Sequence, residues 1–166
     1  RAADMPAATP RMVSRGFTLI EMVVVVMLVG ILASAAMPLA SLQHRRAQES
    51  ELRQNLRALR TAIDAYKAAW DDGRIEKREG DTGYPPTLRA LVEGVPDISQ
   101  PAKPRIYFLR RLPRDPFADP TLPSVQTWAT RAYASPPDAP TPGADVFDVA
   151  SRAQGVGLDG VPYRQW

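Results

Sequence analysis

The chain has 166 residues, which suits one modest domain beside a membrane-length segment, and its net charge of +3 is too small to single out nucleic acid as a partner. It has no cysteine, which excludes disulfides, thiol nucleophiles and Cys-based metal sites. Its single histidine, His44, sits beside the membrane exit, which argues against most metal-hydrolase and His-dependent triad chemistry. Every proline except Pro6, Pro10 and Pro38 follows residue 84, so the second half should be built from loops and short elements.

Residues 1–16 are short, polar and basic, carrying Arg1, Arg11 and Arg15 against Asp4; their removal lowers the net charge from +3 to +1. The chain opens on Arg1, with Met5 and Met12 as candidate starts. Between Phe17 and Leu42 the only charged side chain is Glu21. As a helix this stretch would span roughly 39 Å, and a bilayer core needs only about 20 residues. A lone carboxylate inside such a helix is expensive, so Glu21 should have a partner and a purpose; the bland alternative is a Glu that snorkels to the membrane surface. Ala33-Ser34-Ala35 offers an ordinary signal-peptidase site as a competing reading. Gly30 and Pro38 interrupt the helix interior, and a kink is expected near Ser34–Pro38.

Beyond His44, Arg45 and Arg46 the pattern turns amphipathic. Leu52, Leu56, Leu59, Ile63, Tyr66 and Trp70 recur at alternating spacings of four and three, which is one helical stripe. With no proline between Pro38 and Pro85, one helix is predicted to run to about Trp70. A small sheet from the second half is the simplest cover for the stripe. Arg53, Arg57 and Arg60 lie among Glu49, Glu51 and Asp64 without an aromatic platform, and they read as a solvated face rather than a nucleic-acid site.

Asp71-Asp72-Gly73 lacks the acidic spacing of a calcium loop and reads as a helix-ending turn, opening a connection that lasts to Gly83. Tyr84–Gly94 predicts a short helix, with Thr87 as N-cap and Gly94 as stop. Three short strands follow: Ile106–Leu109, a segment around Trp128 and Tyr133, and Asp145–Ser151. Turn signals at Asp159-Gly160 mark a Gly-rich tail that reaches Trp166.

The run Arg15-Gly16-Phe17-Thr18-Leu19-Ile20-Glu21 closely resembles the class III signal of type IV pilins and type II secretion pseudopilins. Less specific similarities continue at Tyr66-Lys67, Tyr84-Pro85 with Leu88 and Leu91, Leu112-Pro113-Arg114-Asp115-Pro116-Phe117 and Asp145-Val146-Phe147, and they are nearest to the G-type major pseudopilin. The resemblance implies an α+β, pilin-like fold. Its long N-terminal helix, membrane-spanning in the first half, would pack against an antiparallel sheet of about three strands. It also implies four segments: a prepilin leader over 1–16, a transmembrane and polymerisation helix over 17–42, its amphipathic continuation over 43–70, and a periplasmic region over 71–166.

By the same resemblance, prepilin peptidase cuts between Gly16 and Phe17 and N-methylates Phe17. The new amine then pairs with Glu21, between subunits, during filament assembly, and Gly30 and Pro38 form the helix break. The implied function is a structural, non-enzymatic pseudopilus subunit. It would sit in the bacterial inner membrane and assemble with itself, other pseudopilins and an inner-membrane platform, without nucleic acid. A minor type IV pilin acting in adhesion, motility or DNA uptake is the alternative. No Gly-x-Ser-x-Gly nucleophile motif argues for an enzyme.

G-type pseudopilins bind calcium in their C-terminal loops, which makes Asp138, Asp145, Asp148 and Asp159 the candidate ligands here. The family's acidic pair before the final Trp is absent, the loop after Trp70 is longer, and Phe117-Ala118 stands where Trp-Gly is usual. Turn-forming, solvated aspartates are the competing reading.

Overall fold

Residues 16–166 are described in a computed structural model, apart from the side chains of residues 35–40. The expected leader, save Gly16, lies outside the described residues. The chain divides into two units, one ending at Leu42 and the other comprising Gln43–Trp166.

A single helical element, α1, runs Leu19–Asp71. It stays helical through both Gly30 and Pro38, the two expected break positions. One proline forfeits a single ladder bond, and the bonds on either side can carry the helix across. In the first unit every described side chain from Phe17 to Ser34 is exposed, with Phe17 at 74% and Val26 at 70%. Among the described residues, no helix is long and apolar enough to cross a membrane.

In the second unit the predicted stripe is the core. Leu52, Leu56, Leu59 and Ile63 are each at most 2% exposed, Tyr66 is buried, and Trp70 packs half-buried beside them. They meet Leu88, Leu91, Trp128, Val146, Val149 and Tyr163 from the later chain. At its end α1 closes as the sequence predicts: the amide of Arg74 donates to Ala69 O at 2.9 Å and that of Gly73 to Trp70 O at 3.0 Å. Gly73 takes φ +73°, the left-handed position that such a cap favours glycine for.

The cover is α+β, as expected, but its strands form two pairs rather than one sheet of three. A short helix α2, Ala90–Glu93, leads into β1, Val95–Pro96, which pairs antiparallel with β2, Arg105–Ile106. Separately, β3, Trp128–Arg131, pairs antiparallel with β4, Asp148–Ser151, placing Trp128 opposite Ser151. The predicted strand Ile106–Leu109 stops early because the amides of Phe108 and Leu109 both donate to Leu91 O, at 3.0 and 2.9 Å. Val146 N–H likewise goes to Pro85 O at 2.8 Å, so the strand expected from Asp145 begins at Asp148. Proline at positions 96, 104, 113 and 116 denies donors to any longer ladder.

The helix expected over Tyr84–Gly94 is confined to α2. Thr87 still supports its start, Oγ1 accepting Ala90 N–H at 3.4 Å, and Gly94 ends it at φ +72°.

Candidate functional site

At the head of α1 the local sequence dictates the geometry. Thr18 precedes the first helical residue, its carbonyl accepts Met22 N–H at 3.2 Å, and its Oγ1 accepts Glu21 N–H at 3.3 Å. Thr18-Leu19-Ile20-Glu21 therefore has the spacing of a capping box, with Glu21 at its third helical position. A carboxylate there also faces the positive end of the helix. Gly16 and Phe17 lie just outside the helix and are exposed, so the expected cleavage point sits on accessible, non-helical backbone. The capping role of Thr18 was legible as the Thr-x-x-Glu spacing and is an addition to the sequence reading.

Gly30 and Pro38 lie within α1. A Cβ placed on Gly30 would meet nothing within 4 Å, so no packing inside this chain requires glycine there. Ser34 Oγ donates to Ile31 O at 2.7 Å, a bond that keeps its hydroxyl satisfied in an apolar setting.

The loop Leu112–Phe117 is tied to three elements at once. Asn55 Nδ2 on α1 donates to Arg114 O at 2.9 Å, and Trp128 Nε1 on β3 donates to Pro113 O at 2.9 Å. Asp115, fully buried, accepts the Ser151 hydroxyl on β4 at 2.5 Å and the Phe117 amide at 2.8 Å. Phe117 stacks on Tyr163 with ring centroids 4.4 Å apart.

The four candidate calcium ligands are not brought together. Asp138 is exposed. Asp145 is buried, accepting the Thr82 hydroxyl and, at 2.8 Å, the Tyr133 amide. Asp148 carries an ion pair with Arg60 at 2.9 Å, and Asp159 one with Arg53 at 2.8 Å. Among the described residues no group of three acidic, His or Cys side chains is placed to hold a metal. This donor set does not fit a calcium ion. As expected, Arg53 and Arg57 are exposed and Arg60 is partly so, but Arg53 and Arg60 also reach the later chain. Arg60 also donates to Val149 O at 3.1 Å and to the Trp166 main-chain oxygen at 2.7 Å, and the Arg53 guanidinium lies 4.1 Å over the Trp166 ring.

The prokaryotic N-terminal methylation motif matches residues 11–37, the stretch that contains the cap and Glu21. The chain is 34% identical over 111 residues to the type II secretion system core protein G of Klebsiella michiganensis, covering 64% of this chain and 70% of that protein. With the core protein G of Vibrio cholerae it shares 32% identity over 152 residues, covering 87% of this chain and 88% of the relative. The chain belongs to the type II secretion system core protein G family. A type IV major pilin, PilA of Myxococcus xanthus, is 38% identical but over only 73 residues, 32% of its length. No solved structure matches significantly. Within the core protein G family this chain is a pseudopilin with the expected N-terminal motif and small α+β body.

Proposed function

We propose that this pseudopilus subunit is cut by prepilin peptidase between Gly16 and Phe17, N-methylated on Phe17, and held in the inner membrane by residues 17–42 until it is added to a periplasmic filament. The observation that carries this reading is the apolar head of α1, whose described side chains are all exposed and whose only charge is Glu21. A helix that is apolar all round has no stable exposure to water, so it requires lipid or the apolar helices of neighbouring subunits. Stacking copies of this chain and other pseudopilins buries that surface, and the role is structural rather than catalytic. Energy for extraction comes from a cytoplasmic ATPase in another chain.

Glu21 supplies register. In a low-dielectric filament core its carboxylate pairs with the Phe17 amine of a neighbour, and leaving either charge single costs several kcal/mol, on the order of 3–5. Glu21→Ala should leave processing intact, read as the size shift on an immunoblot, while abolishing recovery in sheared or crosslinked filaments. Normal incorporation of that variant would end the proposed role. Placement in secretion rather than in a type IV pilus is supported by the longer match to core protein G, 87% of this chain against 44% for the pilin.

A further inference from the structure

The Gly-rich tail Gly155–Trp166 has almost no regular structure of its own, yet many of its main-chain groups find partners. Gly157 N–H donates to Val161 O at 2.8 Å and Tyr163 N–H to Gly155 O at 3.1 Å. Leu158 N–H donates at 2.9 Å to Glu49, a carboxylate only 3% exposed, and Arg45 donates to Val156 O. Trp166 is held through its main-chain oxygen by Arg60 and through its ring by Arg53. Even the glycines serve this seat: a Cβ on Gly157 would lie 2.4 Å from the Trp166 ring.

Arg45, Glu49, Arg53 and Arg60 all come from α1. At about 100° per residue they fall within an arc of roughly 80° beside the buried stripe. A rigid helix thus presents one acid and three guanidiniums to a loop that offers carbonyls, one amide and Asp159. Calcium needs six to eight oxygen ligands, with carboxylates among them. Here guanidiniums lie on Asp159 at 2.8 Å and on Asp148 at 2.9 Å, consuming those oxygens and adding positive charge where a divalent cation would enter. The fork of Arg is suited to this work, since it satisfies several acceptors with fixed geometry.

We propose that Glu49, Arg53 and Arg60 of α1 clasp the C-terminal loop Gly155–Trp166 in place of a metal, so that this pseudopilin folds and stays folded without calcium. The inference concerns the second unit alone and stands apart from filament assembly, which Glu21→Ala tests separately.

Thermal unfolding of the full chain in detergent micelles decides it, followed by circular dichroism in excess EDTA and in millimolar calcium. Midpoints should agree within about 2 °C, and titration with calcium should give no saturable binding below the millimolar range. In EDTA the Arg53→Met, Arg60→Met double variant should melt roughly 5 °C or more below the parent. Should that variant fail to fold, Arg60→Lys, which keeps charge but loses the fork, should still fold and melt measurably lower. A calcium-induced rise of more than about 2 °C, or sub-millimolar calcium binding, would overturn the proposal. So would arginine variants that melt with the parent.

Discussion

Glu49 Oε1 accepts the phenolic hydrogen of Tyr163 at 2.9 Å although 114 positions separate the two residues. The same oxygen takes the Leu158 amide, and Arg45 Nε stands 3.6 Å away, so a carboxylate sunk in the second unit is both hydrogen-bonded and charge-balanced. The phenol in turn is stacked on Phe117 and edge-on to Trp166, with ring centroids 4.4 and 5.0 Å away. Helix, Leu112–Phe117 loop and tail meet at this pair.

Breaking it should be costly in an unequal way. Tyr163→Phe removes the bond to Glu49 and the longer one accepted from Arg45 at 3.4 Å, but leaves Glu49 its other partners, a loss of about 1–2 kcal/mol. Glu49→Ala leaves the buried Tyr163 phenol without its acceptor, takes away the acceptor of the Leu158 amide and leaves Arg45 without its carboxylate, and should destabilise by about 2–4 kcal/mol. Urea unfolding of both singles and the double variant measures this, with a coupling of at least about 0.5 kcal/mol expected between the sites.

Alkali should unfold the second unit before the backbone is otherwise perturbed. Burial is the main cause that raises the Tyr163 phenol above its ordinary pKa, with Glu49 acting in the same direction and Arg45 opposing; burial likewise raises Tyr66. The raised folded values mean that stability is full below the unfolded phenol pKa, near 10, and declines as pH climbs above it. Denaturant midpoints from pH 8 to 11 should fall in the parent and fall less steeply in Tyr163→Phe.

On the acid side the group to watch is Asp97, buried, with the Ser99 hydroxyl at 2.6 Å and Arg74 at 2.7 Å. These bonds, the Ser99 hydroxyl first and then Arg74, hold its carboxyl below the usual carboxylate range. Its contribution is therefore complete above the unfolded carboxyl pKa, near 4, and is lost as pH falls through the lower folded value. Asp97→Asn should lower stability at neutral pH and flatten the decline below pH 4. Asp119→Asn, at an exposed carboxyl also held low by Thr121, should change the profile less.

The two halves of α1 should respond unequally to truncation of an apolar side chain. Leu59→Ala, fully buried, should cost about 2–5 kcal/mol in urea unfolding of the second unit. Val26→Ala, at a side chain 70% exposed, should leave that midpoint within about 0.5 kcal/mol. A shared response would contradict the division of the chain at Leu42.

Thr18→Ala should fray the first turn of α1, with a local loss of about 1 kcal/mol. Faster hydrogen exchange at the Glu21 amide, with no change at Leu59, is the expected result.

The sequence by itself determined what depends on local spacing and on the solvent an element demands. The apolar run with one acid, the cap at its head, the stripe Leu52–Trp70 and the Gly73 stop were all readable, because helical period, capping and left-handed turns are properties of neighbouring residues. Only the tertiary structure decided where the amides of Phe108, Leu109 and Val146 donate, and hence that the strands form two pairs instead of one sheet. It also decided that Arg53 and Arg60, while partly exposed, reach the tail, and that Glu49 is buried at Tyr163. Those partners lie about a hundred residues apart, and a charge on a helix face carries no mark of what the chain will later lay against it. Pairing across that distance is set by how the core packs, which no local pattern encodes.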